Sequence, residues 1–147
     1  PVSRFPAPAA AAPASAVTET VVAFENEGQT VVGTLALPAA GAAPFPAVLL
    51  LHGFTNTRDE LPVAGTGDLM YARLARALGG AGIASLRIDF RGSGESDGAW
   101  ADTTFTGQIS DALAAFDYLA ALPDIDGARL GLLGFSQGGL VAAEVAA

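Results

Sequence analysis

Two short stretches in this chain pair reactive groups with glycines at spacings that could support chemistry. The first is Gly134-Phe135-Ser136-Gln137-Gly138-Gly139, a G-x-S-x-G pattern. A serine hydroxyl is a weak nucleophile unless a base takes its proton and its Oγ stands exposed. A sharp turn between a strand and a helix meets the second need, and glycines at 134 and 138 let neighbouring backbone pass close by. A helix that begins at such a turn also directs its first N–H groups toward any negative charge developing on a substrate oxygen. The second stretch is His52-Gly53-Phe54, directly after the apolar run 47–51 (AVLLL). A third, Asp89-Phe90-Arg91-Gly92-Ser93-Gly94-Glu95-Ser96, is glycine-rich and carries both charges. It is not G-x-G-x-x-G and has no Walker lysine, so phosphate binding is the weaker reading. A bracing loop, in which Asp89 pairs with Arg91, is the stronger one.

The elements that would position these residues follow from periodicity. Residues 20–25 (TVVAFE) and 30–37 (TVVGTLAL) are β-branched runs joined by Asn26-Glu27-Gly28-Gln29, which predicts an antiparallel hairpin. The run 47–51 predicts a strand buried on both faces. A helix is expected from Asp68, as its cap, with Tyr71, Leu74, Ala75 and Leu78 on one face and Gly79, Gly80 and Gly82 ending it. Residues 83–90 predict the next strand, and Ile109, Ala112, Leu113, Phe116, Leu119 and Ala120 the apolar face of the next helix. A buried strand over 129–135 and a helix from Gln137 complete the series. Alternation of this kind specifies an α/β fold, a mostly parallel sheet with helices on both faces behind an N-terminal antiparallel hairpin.

Residues 1–18 are rich in Pro, Ala and Ser and read as a linker or leader remnant, leaving 19–147 as the folded part. Ala14-Ser15-Ala16 has the small-x-small form of a signal-peptidase site without the segments that should precede it. Location is therefore open, with the cytoplasm slightly favoured over periplasm or exterior. A net charge of −8 with only seven Lys and Arg, spread singly, excludes a nucleic-acid surface. No apolar run is long enough to span a membrane. The absence of cysteine removes disulfides, thiolate metal sites and a cysteine nucleophile, and no ligand cluster or dinucleotide loop implies a metal or cofactor.

In this order, HGF, DFRGSGES and GFSQGG resemble the α/β-hydrolase superfamily, and within it the bacterial feruloyl/cinnamoyl esterases and dienelactone-hydrolase-like enzymes. The resemblance covers residues 19–147, nearly all of the chain. It implies Ser136 as nucleophile at the nucleophile elbow and the backbone N–H groups of Phe54 and Gln137 as the oxyanion hole. His52, Gly53, Gly134, Gly138, Asp89 and Arg91 would be supporting residues, with His52 structural rather than the general base. It also implies a small acyl ester as substrate and an acid and a histidine further along the chain than Ala147. The fold is then truncated after the elbow. Asp102, Asp111, Asp117, Asp124 and Asp126 precede the elbow and read as solvated or capping residues. The same elbow serves peptidases and thioesterases, and a chain lacking its base could instead be a non-catalytic binding or assembly subunit. The strand before Ser136 would have a bare apolar edge, through which the protein could associate with itself.

Overall fold

The structure, a computed structural model, describes residues 12–147. Residues 1–11, most of the stretch read as a linker, lie outside the described residues. The first strand, β1, spans Val17–Asn26 and so begins slightly ahead of the expected boundary. It is followed by β2 (Gln29–Pro38), β3 (Phe45–Leu51), α1 (Met70–Gly80), β4 (Ala84–Ile88), α2 (Phe105–Ala120), β5 (Ile125–Gly134) and α3 (Gln137–Val145). The five strands form one sheet in the order β1-β2-β4-β3-β5. β1 and β2 form the antiparallel hairpin, and β2 pairs antiparallel with β4. β3 runs parallel to both β4 and β5, with Leu51 opposite Ile88 on one side and Gly134 on the other.

Alternation along β3 sorts the two faces. Ala47, Leu49 and Leu51 join Leu86, Ile88, Ala112, Ala115, Leu119 and Val141 in one core, so α2 and α3 cover that face. Leu50, Tyr71 and Ala75 are equally buried but stand outside that core, on the face that α1 covers. The apolar runs are explained by this double covering: a strand sandwiched by helices has no solvent side to make polar. β5 is the edge of the sheet, and Leu133, Phe135 and Leu140 along this edge and on α3 are exposed.

Three local expectations are corrected. α1 starts at Met70, with Leu69 rather than Asp68 in the cap position and no side-chain cap. Hydrogen bonds from Val63 N–H to the Asp68 carbonyl and from Met70 N–H to the Leu61 carbonyl hold residues 61–70 in a small bridge, which delays the helix. Asp68 instead reaches forward to Arg76 at 2.6 Å. On α2 the buried stripe runs through Gln108, Asp111, Ala112, Ala115 and Leu119, and Leu113 falls outside it and is exposed. Finally, β5 is a longer and barer strand than a buried 129–135 segment would be.

Candidate active site

The loops that leave β3 and β5 at their C-terminal ends meet at Ser136. β3 sends its chain toward β4, whereas β5 lies on its other side, so the crevice between the two departing loops is a topological switch point. Ser136 is the single residue between Phe135 and the start of α3, with φ 53° and ψ −119°, and it is exposed. A non-glycine residue at that φ is held there by its surroundings, and the tethers are visible. Phe135 N–H donates to the Leu51 carbonyl at 3.2 Å, Gly138 N–H to the Phe135 carbonyl at 2.9 Å and Gly139 N–H to the Ser136 carbonyl at 3.0 Å.

The two glycines of the pattern are required by close approach. A Cβ on Gly134 would sit 2.0 Å from the Gly138 carbonyl oxygen, and one on Gly138 would sit 2.1 Å from that of Leu51. Strand β3, strand β5 and helix α3 therefore pack backbone to backbone beneath Ser136. Across the crevice, a Cβ on Gly53 would lie 3.3 Å from the Ser136 Cβ, so the His52-Gly53-Phe54 loop runs directly alongside the serine. Among the described residues, neither the Phe54 nor the Gln137 main-chain N–H donates to a protein acceptor. The Gln137 side chain is anchored away by a 2.7 Å hydrogen bond to Gln108 Oε1.

His52 is buried, and both ring nitrogens are occupied. Phe90 N–H donates to Nε2 at 3.1 Å, which makes Nε2 an acceptor and places the proton on Nδ1, which donates to the Gly53 carbonyl at 2.8 Å. Burial holds its pKa below the ordinary histidine value, against the opposing pull of the Gly53 carbonyl, Asp89 and Glu60. A neutral ring tied at both ends joins the loops after β3 and β4 and has no free nitrogen for a serine proton.

Asp89 and Arg91 both brace the glycine-rich loop, but not by pairing with each other. Each is taken up by other partners. Asp89 is fully buried and takes the Arg58 N–H at 2.7 Å, the Glu95 N–H at 3.1 Å and the Arg58 guanidinium, which also meets Glu95. Burial works against the charge on Arg58, and Glu95 and Asp89 outweigh it, so its pKa is raised. Arg91 instead holds Asp111 on α2 at 2.7 Å and Glu27 in the β1–β2 turn at 2.8 Å. The reading of Asp111 as solvated is thus overturned: its side chain is wholly buried, and it also takes the Arg91 N–H at 2.9 Å. Two further residues were not singled out from sequence. Arg58 and Glu60 belong to an Arg-Asp-Glu run in a chain with only 15% charged residues, which was the available signal.

Beside the site, an open cavity of about 380 Å³ lies between Thr55, Asn56 and Thr57 on one side and Ser93 and Trp100 on the other. Phe54 and Trp100 meet edge to face at its rim, ring centroids 5.0 Å apart. Among the described residues, no helix is long and apolar enough to cross a membrane.

Residues 46–147 match the family described as alpha/beta hydrolase fold. The chain belongs to that family. It is 32% identical over 144 residues to an uncharacterised protein of Mycobacterium tuberculosis, covering 98% of this chain and 46% of that protein. It is 33% identical over 124 residues to the esterase FrsA of Yersinia enterocolitica, covering 82% of this chain and 26% of that one. Among solved structures it superposes on Est1E of Butyrivibrio proteoclasticus, determined with ferulic acid bound, with a TM-score of 0.75 and 27% identity over 85% of this chain and 46% of that one. The chain thus spans about half or less of the length of the relatives it matches.

Proposed function

We propose that this chain forms the nucleophile-bearing half of a serine hydrolase of carboxylic esters. The observation that carries the reading is Ser136, exposed in a strained turn between β5 and α3, with the Gly53 loop alongside it. In this mechanism Ser136 Oγ attacks the acyl carbon of a small ester, and the N–H groups of Phe54 and Gln137 take the resulting oxyanion. Those two N–H groups having no protein acceptor among the described residues supports that role. The tetrahedral adduct expels the alcohol and leaves an acyl-enzyme, which water then hydrolyses. His52 is the only histidine of this sequence and both its nitrogens are occupied, so in this reading the proton of Ser136 goes to a base outside these 147 residues, a histidine oriented by an acid. The neighbouring cavity, with an aromatic rim and hydroxyl-bearing walls, suits one arm of such an ester. The likeness to two proteins named as esterases or determined with ferulic acid supports the ester class.

The test uses the protein at its natural full length. p-Nitrophenyl acetate turnover and labelling by an aryl phosphonate are measured for the wild type and for Ser136→Ala. The wild type turns over the ester and gains one phosphonyl group at Ser136. Ser136→Ala loses about 10⁶-fold in kcat, the order seen when a triad serine is removed. Retention of turnover by Ser136→Ala overturns the nucleophile assignment. Equal rates on the ester and on the matching p-nitroanilide overturn the ester class.

A further inference from the structure

Glu60 is a buried carboxylate, and its backbone sits at φ 63°, a conformation that non-glycine residues adopt only when their surroundings hold them there. Its Oε2 accepts the Gly53 N–H, and its Oε1 accepts the Asn56 side-chain amide. The segment that carries it is anchored on both sides. Arg58 N–H is bound by Asp89, and Tyr71 and Met70 N–H at the start of α1 donate to the Asp59 and Leu61 carbonyls at 3.1 and 2.8 Å.

Gly53 is the residue whose neighbours need this hold. The crevice keeps it close to Ser136, where a side chain would crowd the serine, and glycine leaves both adjoining peptide planes free to rotate. The plane after Gly53 is fixed because its carbonyl accepts from His52 Nδ1 and from the Asn56 N–H at 3.3 Å. In a trans peptide the N–H points opposite to the carbonyl, so these bonds also set the direction of the Phe54 N–H. The plane before Gly53 is fixed by Glu60. Glu60 bears on both planes, directly through the Gly53 N–H and indirectly by holding the side chain of Asn56, whose main-chain N–H bonds the Gly53 carbonyl.

We propose that Glu60 is the positioning residue of this loop: its carboxylate, held by Asn56, locks the Gly53 N–H and thereby aims the Phe54 N–H at the carbonyl oxygen of a substrate on Ser136. This rests on the proposed roles of Ser136 and Phe54. Glu60 touches no reacting atom, so its loss acts on the transition state, where the oxyanion forms, and spares ground-state binding.

The experiment measures kcat and KM separately, with p-nitrophenyl acetate, for the full-length wild type, Glu60→Gln, Glu60→Gly and Asn56→Ala. Phosphonate labelling of wild-type Ser136 serves as an independent check. Glu60→Gly removes the carboxylate while suiting the left-handed backbone, so the variant folds. Its kcat falls about a hundredfold, the order expected when a catalytic group is misplaced by about 1 Å, and KM stays within about threefold because uniform binding is untouched. Glu60→Gln keeps one acceptor for Gly53 and falls less, as does Asn56→Ala. Wild-type kcat in folded Glu60→Gly, or a loss confined to KM, overturns the role of Glu60 even though Ser136 is labelled. Failure of the wild type to label at Ser136 overturns the underlying reading and this role with it.

Discussion

The α-carbon of Gly138 lies so close to the end of β3 that a methyl group on it would stand 2.1 Å from the carbonyl oxygen of Leu51. Backbone cannot retreat as a flexible side chain can, so Gly138→Ala must separate α3 from β3 and shift the turn that carries Ser136. Gly138→Ala is expected to lose about 3 kcal/mol or more, the upper range for overpacking, and Gly134→Ala to behave alike. Gly131→Ala is the control, because its new Cβ would meet only Val48 Cγ2 at 3.7 Å. It should stay within about 0.5 kcal/mol of wild type, as substitutions that meet only ordinary contacts do. Urea unfolding midpoints of the full-length variants decide the matter, and equal losses at 131 and 138 would refute the close-approach account.

Asp111 and Arg91 tie helix α2 to the loop after β4, and the carboxylate is entirely out of water. Removing Asp111 strips the Arg91 guanidinium of its buried partner and leaves it only the exposed Glu27 carboxylate. Asp111→Ala is expected to destabilise by about 3 kcal/mol, and denaturant titration measures it. The exposed pair between Arg129 and Asp126 provides the contrast, since solvent screens it. Arg129→Ala should change stability by less than about 0.5 kcal/mol. Similar losses for the two would mean that burial does not set the strength of these pairs.

What could be read in the sequence divides along physical lines. Strand β3 was legible because burial on both faces leaves an uninterrupted apolar run, as in Leu49-Leu50-Leu51. The meeting of Gly53 with Ser136 was legible only through the family resemblance of the two patterns, and the structure supplies its reason in the parallel pairing of β3 with β5. Charge pairing was not. Asp111 sits 20 positions from Arg91 and looks, on a helix, like any solvated aspartate. Glu60 reaches Gly53 within the loop 53–60, whose turns are written in backbone hydrogen bonds rather than in apolar spacing. Local periodicity reports which side of an element faces the core, and it carries no information about which buried charges will find one another.

The neutral, doubly bonded ring of His52 makes stability depend on pH. Its pKa in the folded state is depressed, chiefly by burial, so the unfolded chain takes up a proton before the folded one does. The contribution is fully present above the ordinary histidine value of about 6.5 and is lost as pH falls below it, until the folded ring itself titrates. The slope from this one group cannot exceed about 1.4 kcal/mol per pH unit. Urea midpoints measured from about pH 7.5 down to about 5.5 should therefore decline for the wild type. In His52→Gln, which carries no titrating ring, that part of the slope should vanish even though the protein is less stable throughout. An identical slope in both proteins would show that His52 is not its source.

Ser136 offers a test that separates strain from chemistry. At φ 53° and ψ −119°, a side chain crowds its own backbone, and the cost of such conformations is about 1–3 kcal/mol. Alanine keeps the Cβ and removes only the hydroxyl. Glycine removes both, relieving the strain, but gives up about 0.5–1 kcal/mol to the greater freedom of the unfolded chain. Ser136→Gly should accordingly be more stable than Ser136→Ala by about 1 kcal/mol, the balance of those two terms. On the proposed role of Ser136 both variants are expected to lose ester turnover and phosphonate labelling alike, so activity does not distinguish them. Thermal or urea unfolding does. A glycine variant no more stable than the alanine one would mean that the turn holds Ser136 without strain, and that its exposure comes from the packing of Gly134 and Gly138 alone.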